Sequence, residues 1–314
     1  MMIIVTGGAG FVGCNLIRAL NKIKRKDILV VDNLKNGKKY VNLIGLYITD
    51  YIDKNYFLKC LLTEPSYINN IDVVFHQGAC SSTIEWDGEY MMRNNYQYSK
   101  ELLSYCIKNH IPFIYASSAS VYGKSTDTSL EHKQREKPIN IYSYSKFLFD
   151  QYVRSILPKV TSQICGLRYF NVYGPYEMHK GNMASIIYRL YTQIKSKKHI
   201  KLFCGSNDIK RDFVYISDIV DINIWAWDTG ISGIFDCGTG ESQSFELIAN
   251  IVLDFFDRDL TIKYIPMPSY LCNHYQFFTR ANVEQLRIVG YEKKFFDVKN
   301  GIFNYLNWLL YNGI

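Results

Sequence analysis

What the chain lacks narrows its class before any motif is read. Its eight cysteines stand singly, with no Cys-x-x-Cys. That usage suits a reducing cytoplasm and does not suit a zinc site. No apolar run is long enough to span a membrane. Glycine interrupts the first apolar run, so no secretory segment is expected. There is no internal repeat, low-complexity tract or interdomain linker. Nor does charge of one sign gather: the formal charge is +7, but the basic residues are scattered. The densest group, Lys195, Lys197 and Lys198, reads as a solvated helix end. The excess therefore points to anionic small molecules and not to nucleic acid. With 314 residues, 48% hydrophobic and 21% charged, the chain suits one large α/β unit or a nucleotide domain with a smaller companion.

What the chain has begins at Met2. Residues 3–5 form an apolar run without polar alternation, as in a strand buried on both faces. Glycines follow at 7, 10 and 13, then a helical run through Leu20. Gly7 permits a sharp turn out of the strand. Gly10 lets a pyrophosphate approach the backbone, and Gly13 lets the helix pack close to the sheet. Free N–H groups of the first helical turn then face the phosphates. A glycine triplet alone is only a turn; between a first strand and an amphipathic helix it predicts dinucleotide binding. A second strand, 27–31, ends at Asp32 and Asn33, where an acid about 20 residues past the turn meets the adenosine ribose. Lys35, Lys38, Lys39 and Lys54 crowd that region. The acid favours NAD and the lysines favour a 2′-phosphate, so these residues leave NAD and NADP open.

Residues 71–75 read as another buried strand. It runs through His76 into Gln77, Gly78, Ala79, Cys80 and Ser81, mostly small residues that suit close passage of a cofactor. Residues 94–109 have helical periodicity, and 111–116 read as a strand ending in Ser117 and Ser118. The polar stretch 124–137 reads as an exposed loop over the site, 142–156 as a long helix and 163–168 as a strand. Beyond that the alternation is irregular. Residues 211–218 look like a return segment, and 246–256 and 302–310 like amphipathic helices. The expected fold is α/β, a Rossmann-type doubly wound parallel sheet with a smaller interleaved α/β substrate domain. Residues 1–170, with returns near 213–237 and 285–300, are assigned to the dinucleotide domain. Residues 171–212, 238–284 and 301–314 are assigned to the substrate domain.

A Tyr four residues before a Lys shares one helix face with it. A phenol normally holds its proton to about pH 10. A neighbouring ammonium favours phenolate and makes it a usable base. The pattern occurs at Tyr96/Lys100, Tyr142/Lys146, Tyr176/Lys180 and Tyr191/Lys195, as expected by chance in a chain with 26 tyrosines. Only Tyr142/Lys146 opens the helix that follows the strand ending in Ser118, whose hydroxyl can bond a substrate oxygen. These are the parts for taking a proton from an alcohol while hydride leaves to a nicotinamide.

Together with Arg168-Tyr-Phe-Asn-Val-Tyr-Gly-Pro, these motifs resemble the extended short-chain dehydrogenase/reductases that act on nucleotide sugars. Gln77-Gly-Ala-Cys-Ser-Ser-Thr, Glu85-Trp-Asp-Gly, Asn94-Asn-Tyr-Gln-Tyr-Ser-Lys-Glu-Leu, Ser145-Lys-Phe-Leu-Phe-Asp and Lys210-Arg-Asp-Phe-Val-Tyr narrow the likeness to ADP-L-glycero-D-manno-heptose 6-epimerases, over essentially the whole chain. The resemblance implies tightly held NADP, an ADP-heptose substrate for the lipopolysaccharide core, a cytoplasmic homo-oligomer, typically a pentamer, and no metal. It places Phe11, Val12, Asp32, Asn33, Lys39, Lys54, Gln77 to Ser81, Asn94, Lys146 and Val172 at the cofactor. It places Asn171, Asn182, Arg189, Phe203, Cys204, Gly205, Ser206, Arg211 and Tyr275 at the substrate, and a second proton acceptor at Lys180. Arg211 has a physical case of its own, since its planar fork matches a diphosphate. The chain departs from the pattern at Asn182, Arg189 and His274, where Ser, His and Arg are expected. A 4,6-dehydratase would carry an Asp-Glu pair after Ser118, where Ala119 and Ser120 stand. Another nucleotide-sugar epimerase, a simple dehydrogenase and a non-catalytic dinucleotide sensor are the remaining alternatives.

Overall fold

Seven parallel strands form the central sheet of the computed structural model, which describes residues 1–64, 68, 70–126, 132–196, 199–256, 260–269 and 275–314. Lys197, Lys198, His274 and residues 127–131 of the polar stretch lie outside the described residues. The strands are β1 (Met2–Thr6), β2 (Ile28–Asp32), β3 (Asp50–Asp53), β4 (Ile71–His76), β5 (Phe113–Ser118), β6 (Ile164–Tyr169) and, much later, Gly233–Cys237. Their order across the sheet is Gly233–Cys237, β6, β5, β4, β1, β2, β3. The order reverses between β1 and β4, and that switch point opens a crevice at the strands' C-terminal ends.

Both faces are covered, which is why β1 and β2 read as unbroken apolar runs. Alternation survives inside the core. Ile3 and Val5 join one cluster, with Leu16, Ile17 and Leu20 of α1 (Phe11–Lys22). Ile4 joins the other, with Phe57 and Leu61 of α2 (Lys54–Thr63). The second face continues through α3 (Gly88–Met92), a π-helical turn at Arg93–Gln97, and α4 (Tyr98–Lys108). A short α5 (His132–Arg135) precedes α6 (Ile141–Ile156), whose start is fixed by a reciprocal capping box between Asn140 and Ser143.

The chain then builds a third cluster of buried side chains. Here β9 (Lys210–Tyr215) pairs in parallel with β7 (Asn171–Tyr173) and antiparallel with β11 (Ser242–Ser244). The strand β8 (Ile200–Phe203) pairs with β12 (Ile262–Ile265). Around them pack α7 (Ile186–Lys195), α9 (Phe245–Phe256) and the helix Val298–Tyr311. Between β9 and the last central strand, which is β10, α8 (Ile216–Thr229) returns to the first face beside α1. Its end is a left-handed Gly230.

One expectation is corrected here. The described part of 124–137 is not all exposed loop: Arg135 is buried, and the Glu136 side chain is 1% exposed. Glu136 ion-pairs with Arg154 at 2.6 Å and with buried Arg168. A polar run in sequence looks solvated, but Glu136 is neutralised by arginines distant in the chain.

Candidate active site

The crevice at the switch point is a cleft of about 720 Å³. Its floor is the glycine turn. Gly7 adopts φ +67, and a Cβ there would lie 2.7 Å from the Gly78 backbone. A Cβ at Gly13 would lie 2.3 Å from the Gly7 carbonyl oxygen. Close packing thus requires glycine at both positions. Gly10 meets only the Gly7 carbonyl, at 3.0 Å, and otherwise leaves its side open.

Asp32 ends β2 almost fully buried. Its carboxylate accepts from the Ala9 amide at 2.9 Å, the Asn33 amide at 2.6 Å and Lys39 Nζ at 2.5 Å. Lys54 donates to the Asn94 side chain, itself bonded to the Tyr90 carbonyl at 2.6 Å. Burial lowers the Lys54 pKa, with Asp53 and Asp32 opposing. Of the expected cofactor residues, Gly7, Gly10, Phe11, Val12, Gly13, Asp32, Asn33, Lys39, Lys54, Gln77, Gly78, Ala79, Cys80, Ser81, Asn94 and Lys146 all line this cleft, whereas Val172 does not.

Ser118, Tyr142, Lys146 and Lys180 line it too. Ser118 lies at the end of β5, and Tyr142 and Lys146 lie one turn apart at the start of α6. Burial raises the Tyr142 pKa, and a hydrogen bond with Ser118 pulls it back. Burial pushes Lys146 down to about 8, against the pull of Asp150 and Cys80. Lys146 is not among the groups that shift the phenol; its Nζ donates to the Ala116 carbonyl at 2.6 Å. Lys180 comes from the turn Met178–Met183, with its Nζ 5.0 Å from the Phe11 ring centre and 3.7 Å from Glu177.

Several site residues escaped the sequence reading. Asn95, in the π-helical turn, accepts from the Cys80 amide at 2.8 Å and donates to its carbonyl at 2.9 Å, pinning the Gln77–Ser81 strip. The Gly78 amide donates to Thr6 Oγ1 at 3.1 Å, and Thr6 bonds buried His76 at 2.7 Å. His179 lines the cleft and meets Asn42 at 3.0 Å. Burial, with Lys180 and Lys39, pushes its pKa down to about 4. No spacing rule marks Asn95 or Asn42; only tertiary contact gives them a role.

A second cleft, about 190 Å³, lies in the other region. Arg189, Phe203, Ser206 and Tyr275 of the expected substrate residues line it; Asn171, Asn182, Cys204, Gly205 and Arg211 do not. Asn182, Cys204 and Gly205 are exposed, and Asn171 accepts from Thr279 at 3.4 Å. Arg211 is 5% exposed, its guanidinium carbon 5.3 Å from the Tyr275 ring centre. Its Nη1 has no hydrogen-bond partner, and burial pushes its pKa down to about 10.

The class this defines is a doubly wound dinucleotide-binding protein with a tyrosine–lysine helix at its switch point. Within it, the chain belongs to the NAD-dependent epimerase/dehydratase family, whose model matches residues 3–238. The chain is similar to ADP-L-glycero-D-manno-heptose-6-epimerase of Helicobacter pylori, at 32% identity over 98% of this chain and 96% of that one, with a TM-score of 0.86. The fold also matches UDP-N-acetylglucosamine 4-epimerase of Methanobrevibacter ruminantium at 23% identity over 99% and 98% of the two chains, with a TM-score of 0.86. UDP-glucose 4-epimerase of Thermotoga maritima matches at 23% identity over all of both chains, with a TM-score of 0.84. The open side of Gly10 and the buried Asp32 suit the nicotinamide dinucleotide for which the family is named. Among the described residues no cluster could hold a metal ion, and no helix is long and apolar enough to cross a membrane.

Proposed function

We propose that the protein is an NADP-dependent epimerase that interconverts ADP-D-glycero-D-manno-heptose and ADP-L-glycero-D-manno-heptose at C6. The observation that carries this reading is the meeting of Ser118, Tyr142, Lys146 and Lys180 with the glycine turn in one cleft. The 32% identity to the Helicobacter pylori epimerase supports the choice of sugar. Bound NADP⁺ supplies a place to store the hydride of C6 and return it. Gly7, Gly10, Gly13, Asp32, Lys39 and Lys54 hold it, with Lys39 offsetting the charge of Asp32 beside a 2′-phosphate.

Tyr142 takes the alcohol proton, Ser118 bonds the same oxygen, and Lys146 stands one helical turn away in the same cleft. C6 lies outside the sugar ring, so rotation about its bond to the ring turns the opposite carbonyl face forward. The oxygen then sits elsewhere, and a second group must give it a proton. Lys180, which lines the same cleft, takes that role. Arg211, Arg189 and Tyr275 hold the ADP moiety. The resemblance also supports a cytoplasmic homopentamer, and the exposed apolar side chains Tyr40, Ile44 and Tyr47 (59%, 61% and 62%) support an interface between copies.

The test is incubation with ADP-D-glycero-D-manno-heptose and separation of the C6 epimers. Approach to one mixture from either epimer is expected. Turnover of UDP-sugars with none of ADP-heptose would overturn the reading.

A further inference from the structure

The segment carrying Lys180 is braced at every step. Tyr176 adopts φ +73, a left-handed conformation uncommon outside glycine. Its ring is fixed by the Arg18 guanidinium at 4.0 Å and by Trp308 at 4.8 Å. Glu177 follows and is fully buried. Its Oε2 accepts from the Ser185 amide at 2.6 Å, and its Oε1 from Ser185 Oγ at 2.6 Å. Ser185 in turn caps α7. The carboxylate is thus pinned with Oε2 3.7 Å from Lys180 Nζ. On its other side the ammonium faces the Phe11 ring.

The other titratable groups near the pair bring little opposing charge. Tyr188 and Tyr305 sit in the field of Glu177 and stay protonated. His179, beside Lys180, is neutral at pH 7. Lys39 is the further cation at His179, and it is paired with Asp32.

We propose that Glu177 is a positioning residue whose pinned carboxylate holds the Lys180 ammonium in the cleft, so that in one direction of the epimerisation Lys180 is the proton donor and Tyr142 the acceptor, and in the reverse direction the two exchange roles. This rests on the reading of Lys180 as the second proton-transfer group. The proton count closes. The alcohol oxygen loses one proton to Tyr142 Oη, and the carbonyl oxygen gains one from Lys180 Nζ. Turnover ends with a neutral phenol and a neutral amine, and exchange with water restores both.

The test uses NADP-loaded Glu177→Gln. Glutamine has the same shape and can still accept from one Ser185 group, but it lacks the charge. Two readouts are taken: the pH profile of kcat/KM, and the titration of the Lys180 ammonium by nitrogen NMR, assigned with Lys180→Met. The alkaline limb is expected to move down by about one pH unit, and the Lys180 signal with it. A Lys180 signal that titrates as in the parent protein overturns the proposal. A signal that moves while the rate profile stays in place overturns instead the role of Lys180 in proton transfer. Ser185→Ala controls for the brace: it keeps the carboxylate and should leave the alkaline limb unmoved. A limb that moves there too would show that geometry, not charge, is at work, and would also refute the proposal.

Discussion

Asp32 means different things to the two dinucleotides. Alone, a buried acid at this position would repel a 2′-phosphate. With Lys39 at 2.5 Å it carries no net charge toward the cleft. Lys54 lines the same cleft. A phosphate monoester brings nearly two negative charges at neutrality. Replacing Lys39 and Lys54 by Ala should therefore weaken NADP binding by at least about tenfold more than NAD binding. Titration of both cofactors checks this, and equal losses would return the assignment to NAD.

Arg211 tests the proposed substrate region in the same way. Its buried Nη1 has no partner. Arg211→Ala should cost ADP binding on the order of 2 kcal/mol and leave NADP binding in place. Calorimetry with ADP is the measurement. Unchanged ADP affinity would remove the residue from the site.

At the scale of elements, a buried polar network sets the helix of Tyr142 and Lys146 in place. Asp150, one turn beyond Lys146 on α6, accepts from Arg168 at 2.8 Å, Ser117 at 2.9 Å and Tyr115 at 2.9 Å. These donors come from β6 and β5. Asp150→Ala leaves the Arg168 cation in the core with less compensation and should destabilise the fold by about 3–5 kcal/mol. Urea unfolding would read the loss; a change below about 1 kcal/mol would mean that the network is dispensable.

Those elements were legible in unequal measure. The first strand, the glycine turn and the helix of Tyr142 were plain, because both faces of the strand are covered and the helix is periodic and capped. The expected strand, 111–116 ending in Ser117 and Ser118, is Phe113–Ser118, so only its start moves. The short β3 escaped notice: its Asp50 and Asp53 are exposed, and only Ile52 is buried. The strand Gly233–Cys237 and α8 read as featureless returns, since nothing local says which sheet edge they join. The polar run before α6 misled, because sequence shows charges but not the partners that bury them.

For the molecule as a whole, acid is the informative stress. His76 is fully enclosed, and burial, aided by Lys146 and Lys54, pushes its pKa down to about 3. The unfolded chain takes up that proton below about pH 6.5 and the folded chain does not. The contribution of neutral His76 is therefore intact above about pH 6.5 and erodes as pH falls toward the folded value. Near pH 5 the loss is about 2 kcal/mol. Urea unfolding at neutral pH and near pH 5 should show His76→Asn losing less stability across that interval than the parent; identical losses would place the acid sensitivity elsewhere.

The late arrival of Gly233–Cys237 beside β6 has a consequence for synthesis. When residues 1–170 have left the ribosome, every expected cofactor residue but Val172 already exists. Yet the apolar face awaiting Ile219, Val220, Ile222 and Ala226 of α8 is still bare. The nascent chain must shelter that face, alone or with a chaperone, until some sixty further residues are made. Slowing translation across that stretch should lengthen the exposure and lower the yield of folded protein, although every residue of the glycine turn is long since in place.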